Sequence, residues 1–178
     1  LRAEKQQRYK QEYDIPEYDI DIITASKKMA DLFEETIALG AAPKKVSNWL
    51  MVETMRLLKE HEKEADELSF SAENLAKLIQ MVEAKEINGT VAKEVFEQIF
   101  EQDVNPEEYV EAHGLKTVND EGALRSVVEE VIAANPQSVS DYKNGKEKAI
   151  GFLVGQTMKA MKGKADPGAV NKMLKELL

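Results

Sequence analysis

Apolar residues recur along this chain at intervals of three and four, the spacing that gathers them on one face of an α-helix. Met29, Leu32, Phe33 and Ile37 make one stripe, Val46, Trp49, Leu50, Leu57 and Leu58 a second, and Leu75, Leu78, Ile79 and Val82 a third. Others follow at Val91, Val95, Ile99 and Phe100, at Leu124, Val127, Val128, Val131 and Ile132, and at Val170, Met173, Leu174 and Leu177. Period-two alternation, the mark of a half-buried strand, is confined to Tyr18-Asp19-Ile20-Asp21-Ile22. The expected fold class is all-α.

The punctuation agrees. Helices are expected over residues 24–39, closed by Gly40, and from Pro43 to about His61. Asn105-Pro106-Glu107-Glu108 is a start signal: Asn105 can cap, Pro106 sits where a missing N–H costs nothing, and Glu108 can close a capping box. Ser71, Asn119-Asp120, Asn135-Pro136 and Asp166-Pro167 open further helices, and one more runs over about 146–161. Short loops imply antiparallel neighbours. Glu60 to Glu67 is almost wholly charged and reads, with Leu68-Ser69-Phe70, as a linker. Two consecutive small bundles are expected, residues 1–68 and 69–178.

Little in the residues suggests chemistry. There is no cysteine, which excludes disulfides, thiolate metal sites and cysteine nucleophiles. No apolar run reaches the length of a membrane span and no signal peptide is visible, so a cytoplasmic protein is expected. The chain opens on Leu1-Arg2-Ala3-Glu4, inside a charged helix-like stretch, as a piece of a longer protein would. His61 and His113 stand alone, and His61-Glu62 lacks the second histidine of a zinc helix. Glu34/Glu35, Glu107/Glu108 and Glu129/Glu130 fall on helix exteriors and read as solvated faces. Asn88-Gly89-Thr90 matches a glycosylation acceptor but reads as a turn. No catalytic residue, bound cofactor or metal ligand is expected.

Charge is informative. From Ser138 onward eight lysines face four acids, a net of +4, whereas the rest of the chain holds 16 basic and 29 acidic side chains. An acidic chain with one concentrated basic region commonly uses it on an anion. On the 146–161 helix, Ile150, Leu153, Val154, Thr157, Met158 and Met161 gather on one side. Lys148, Lys159 and Lys162 gather on the other, with Gly151, Phe152 and Gly155 among them. A glycine inside a helix costs about 1 kcal/mol relative to alanine, so two on one face need a reason. Either a phosphate backbone approaches there, with lysines on phosphates and Phe152 on a base, or a neighbouring helix packs into the groove. Lys143, Lys146 and Lys164 extend the basic set. Lys162-Gly163-Lys164 is not a phosphate-binding loop, because Met158 and Ala165 stand where that motif needs glycine and Ser or Thr.

The same segment carries a resemblance. Gly145-Lys146, Gly151-Phe152-Leu153-Val154-Gly155-Gln156, Met158-Lys159, Lys162-Gly163-Lys164-Ala165, Pro167 and Val170-Asn171 closely resemble the C-terminal tail found in the family of aspartyl/glutamyl-tRNA amidotransferase B subunits. Tyr18-Asp19, Phe33-Glu34, Asn48-Trp49-Leu50 and Ala134-Asn135-Pro136 extend the likeness upstream. Asp166 stands where that family commonly has asparagine, and both residues cap helices. The resemblance implies a helical domain over 1–68 and a tail domain over 69–178, gripping tRNA through Lys143, Lys146, Lys148, Gly151, Phe152, Gly155, Lys159, Lys162 and Lys164. It implies the amidotransferase A and C subunits as partners, with neither membrane nor DNA involved. It also implies conversion of Glu-tRNA(Gln) and Asp-tRNA(Asn) to the amidated forms, with ATP and magnesium used by an N-terminal part that this chain lacks. The chain itself is then expected to be inactive. The rival is a non-catalytic helical protein–protein adaptor whose acidic helices are the working surface.

Overall fold

The computed structural model describes residues 1–118 and 120–178 and is helical throughout, with no strand among the described residues. The all-α expectation holds. The helices pack into two compact units, one of Leu1–Glu83 with Ala92–His113, the other of Ala84–Val91 with Gly114–Leu178. Packing therefore draws its border elsewhere than Leu68. Helix α6 (Ala72–Glu83) lays Leu75, Leu78 and Ile79 into the first unit, where α3 (Lys27–Ala38) and α8 (Pro106–His113) lie against it. Leu68 and Phe70, read as linker, are buried.

In the first unit, α1 (Arg2–Glu12) precedes α2 (Glu17–Ala25), which contains the alternating stretch 18–22. That stretch is helical, not extended. Glu17 and Asp19 sit in the first turn, where the helix dipole favours acids, and Ile20, Ile23 and Thr24 continue the helical spacing into the core. The single helix expected over 24–39 is broken at Ser26. Its hydroxyl accepts the Met29 N–H (3.2 Å), capping α3, and donates to Asp66 (2.7 Å). Gly40, at φ +105°, ends the connection in the left-handed conformation that glycine adopts without strain.

The expected 43–61 helix is continuous but not uniform. It comprises α4 (Pro43–Asn48), a π-helical segment (Trp49–Thr54) and α5 (Met55–Glu60). The Thr54 hydroxyl donates to the Trp49 carbonyl five residues back (3.0 Å). Glu53, in the same segment, is buried and holds Arg56 at 2.9 Å; Glu60 and Glu97 complete the shell. These carboxylates, Glu53 foremost, push the Arg56 guanidinium still further above its ordinary value. Aromatic contacts knit the core, with Tyr9 on Phe33 (5.0 Å between centroids) and Trp49 on Phe96 (5.2 Å). Asn105 caps α8 as expected, accepting the Glu108 N–H at 3.1 Å.

In the second unit, Asp120 caps α9 (Glu121–Ala134) by accepting the Gly122 and Ala123 N–H groups at 3.0 and 3.2 Å. Asn119, named with Asp120 as a start signal, lies outside the described residues. Helices α10 (Pro136–Lys143), α11 (Lys148–Ala160) and α12 (Pro167–Leu177) follow. Leu124, Val128, Leu153, Ala165, Val170 and Leu174 form the centre of this core. Asn135 does not cap α10; its amide donates back to the Val131 carbonyl (2.8 Å) and ends α9 instead. Helix α7 (Gly89–Gln102) starts in this unit and continues into the first.

Candidate nucleic-acid interface

Helix α11 is held by one side only. Leu153 and Thr157 are fully buried, and the Thr157 hydroxyl donates to the Leu153 carbonyl at 2.9 Å. At about 100° per residue, Lys148, Phe152, Gly155 and Lys159 fall on the opposite side in one stripe, with Gly151 beside it. All five are exposed. From Lys148 to Lys159 the stripe runs about 16 Å at 1.5 Å per residue.

The two readings of the glycine groove separate here. A Cβ built on Gly151 or on Gly155 meets nothing within 4 Å, so among the described residues no helix of the second unit fills the groove. Phe152, 49% exposed, is likewise not a packing knob. Gly155→Ala is therefore expected to stabilise the chain by roughly 1 kcal/mol, the helix-propensity difference, with no steric cost. Thermal unfolding checks this; a lower melting temperature would mean that the groove is filled.

The other basic residues frame the stripe. Lys143 ends α10, Lys146 lies in the following turn and pairs with Asp141 at 3.9 Å, and both are exposed. Beyond α11, Lys162 and Gly163 both take positive φ (+56° and +73°), and the Gly163 N–H closes the helix on the Met158 carbonyl at 2.8 Å. Lys164 follows, half-buried, with its Nζ beside Gly114. Among the described residues, Lys143, Lys148, Lys159, Lys162 and Lys164 have no acidic partner. Lys27, Lys44, Lys45, Lys77 and Lys93 of the first unit each have one. Helix α11 itself contains no acid. Lysines at 159 and beyond suit a helix C-terminus, but Lys148 opposes the dipole at the N-terminus, a cost of about 0.3–1 kcal/mol. An unpaired cation at the positive end of a helix adds to the field that draws an anion.

The remaining candidates are occupied by structural partners. His61 lies 3.5 Å from Glu101 and against Phe100. His113 stacks on Tyr109 at 4.0 Å, with Nδ1 at 2.9 Å from the Tyr109 carbonyl. Among the described residues no three metal-binding side chains cluster. Glu34 pairs with Arg8, Glu107 with Lys77 and Glu129 with Arg125. Asp166 accepts the Ala169 N–H (3.3 Å), so the start of α12 is not an open anion site. No helix is long and apolar enough to cross a membrane among the described residues.

One residue outside the sequence-derived set reaches this region. Asn88 is buried, and its amide donates to the carbonyls of Gly163 (2.6 Å) and Ala165 (3.1 Å). Its oxygen accepts the Val91 N–H (2.9 Å), capping α7. The partners are 75 and 77 residues away, and only the turn-forming Asn-Gly pair was legible in advance.

Comparison with known proteins gives this surface a setting. The family model described as the GatB domain matches residues 31–178, running through Leu68. Similar curated proteins are named as the B subunit of aspartyl/glutamyl-tRNA(Asn/Gln) amidotransferase. That of Agathobacter rectalis is 64% identical over 100% of this chain and 38% of its own length. That of Lachnoclostridium phytofermentans is 61% identical, over 100% and 37%. That of Geobacillus thermodenitrificans is 49% identical, over 97% and 36%. The chain thus spans little more than a third of the length of these relatives.

Proposed function

The chain belongs to the GatB domain family, and from that premise we propose that it is the tRNA-binding part of an amidotransferase B subunit. The protein would hold tRNA through Lys143, Lys146, Lys148, Lys159, Lys162 and Lys164, with Gly151 and Gly155 leaving room for the phosphate backbone and Phe152 free to stack on an unpaired base. The observation that carries this reading is the open stripe on α11: unpaired lysines, an exposed aromatic and two glycines with empty space above them. The relatives' names supply the setting, in which misacylated Glu-tRNA(Gln) or Asp-tRNA(Asn) is amidated. ATP and magnesium would be used in parts of the longer protein outside this chain, and the A and C subunits would be its partners. The adaptor reading would use the acidic helices of the first unit and leaves the open stripe on α11 without a role.

Titration of unmodified tRNA(Gln) with this chain, by gel shift at 50 and 200 mM salt, tests the proposal. Engagement of six lysines predicts a loss of affinity on the order of a thousandfold between the two conditions. The same preparation is expected to turn over no ATP. Binding that is absent at low salt, or indifferent to salt, would remove the tRNA reading.

A further inference from the structure

We propose that Asn88 is a positioning residue, whose buried side chain fixes the turn that presents Lys162 and Lys164 to RNA. The inference rests on the tRNA reading above but is carried by a different observation. The turn from Met161 to Asp166 contains two successive residues in the left-handed region, and Lys162 is not a glycine. A free turn of this sequence would not keep that geometry, because a side-chain-bearing residue disfavours it. Its first half is closed by the Lys162, Gly163 and Lys164 N–H groups on the Lys159, Met158 and Met161 carbonyls. Its second half is tied from outside, with the Gly163 and Ala165 carbonyls bonded by the Asn88 amide and the Lys164 carbonyl between them by the Val118 N–H.

Asn88 is suited to this task and to no simpler one. Two hydrogen bonds are donated by the amide and one is accepted by the oxygen, three of the four its side chain can make. A residue needed only to cap α7 has no use for the amide, since Ser, Thr or Asp caps as well. The amide is the part that acts on the basic turn. Losing it leaves the buried Ala165 carbonyl and the half-buried Gly163 carbonyl without this donor and loosens the backbone on which both lysines stand. The lysines would keep their charge and lose their place, which is the property a phosphate contact depends on.

Two substitutions separate capping from tethering. Asn88→Asp keeps the cap and turns a carboxylate on the two carbonyls; Asn88→Ser keeps a cap and removes the amide without adding charge. Trypsin cleaves after Lys162 and Lys164, so it reads the turn directly. Cleavage at these two bonds is expected to rise roughly tenfold in both variants, as local opening becomes easier, while other sites and helix content stay constant. Unmodified tRNA(Gln) supplies the second readout, with Asn88→Ser made in the wild type and in a Lys162→Ala/Lys164→Ala background. In the wild type the slope of log K against log salt is expected to shrink by about 2; in the double-alanine background it should not change further. Equal losses in both backgrounds, or unchanged tryptic cleavage, would overturn the proposal. If the wild type binds no tRNA, the reading beneath the proposal fails and takes the tether's purpose with it. The tryptic comparison still decides whether Asn88 holds the turn.

Discussion

Replacing Lys148, Lys159, Lys162 and Lys164 together by alanine is expected to reduce the slope of log K against log salt by about 3.6, near 0.9 for each phosphate no longer neutralised. A fourfold rise in salt would then cost the wild type on the order of a hundredfold more affinity than the variant. The effect is large because these four cations have no acid to return to among the described residues. Each can meet a phosphate without first breaking an ion pair. Lys27, Lys44 and Lys45 provide the control, since each already lies 3.3–3.4 Å from a carboxylate. Alanine at those positions should leave the slope where it was. Losses should be alike across tRNA species, because phosphate contacts position and do not specify. Phe152→Ala should behave differently, costing about 1–3 kcal/mol of affinity if a base stacks there, with little change in slope. An unchanged slope in the quadruple variant would show that the stripe on α11 is not the surface used.

Leu153→Ala is expected to destabilise the second unit by about 2–5 kcal/mol, the range for a fully buried leucine. Leu153 lies on the buried side of α11, so its loss opens a cavity beneath the basic stripe without touching it. For a unit of under a hundred residues, a loss near 3 kcal/mol lowers the melting temperature by roughly 12–24 °C. Trp49, the chain's one tryptophan, belongs to the first unit and packs on Phe96, so its fluorescence reports that unit alone. Its transition should stay in place while the helical signal at 222 nm acquires an earlier step. If both signals move down together, the two compact units unfold as one.

The fold class was legible because helical spacing is a local property. Stripes such as Leu75, Leu78 and Ile79, and caps such as Asn105 and Asp166, need no knowledge of the rest of the chain. What was not legible depended on distant partners. The break at Ser26 is fixed partly by Asp66, forty residues on, so a helix expected from Thr24 onward became two. Residues 18–22 alternate in polarity, yet two acids in a first turn and burial of Ile20 and Ile23 make them helical. The charged run Glu60–Glu67 looks like a divider, but α6 beyond it packs on α3, and charge alone does not say where a helix will find its apolar partner. The candidate surface divides in the same way. Helical geometry placed Lys148, Gly155 and Lys159 on one face, whereas the emptiness above the glycines depends on where the other helices of the second unit pack, and only the folded unit supplies it.

The π-helical segment in the first unit has a consequence for how this protein can vary. Six residues wound with a wider turn hold one more residue than the surrounding α-helix has room for. The wider turn absorbs the surplus, so everything that follows up to Glu60 keeps its angular phase. Deleting one exposed residue from it, such as Val52, would let the segment close into ordinary α-helix and leave α5 where it is. The same deletion from a regular α-helix would rotate everything beyond it by about 100°. Leu57 and Leu58 would stay in the core in the first case, and a regular helix would lose its buried stripe in the second. A deletion from regular helix acts like a frameshift in three dimensions, changing no downstream residue and misdirecting all of them. Length variation among functional relatives should therefore be tolerated at residues 49–54 and in the connections between helices, and avoided inside the regular helices.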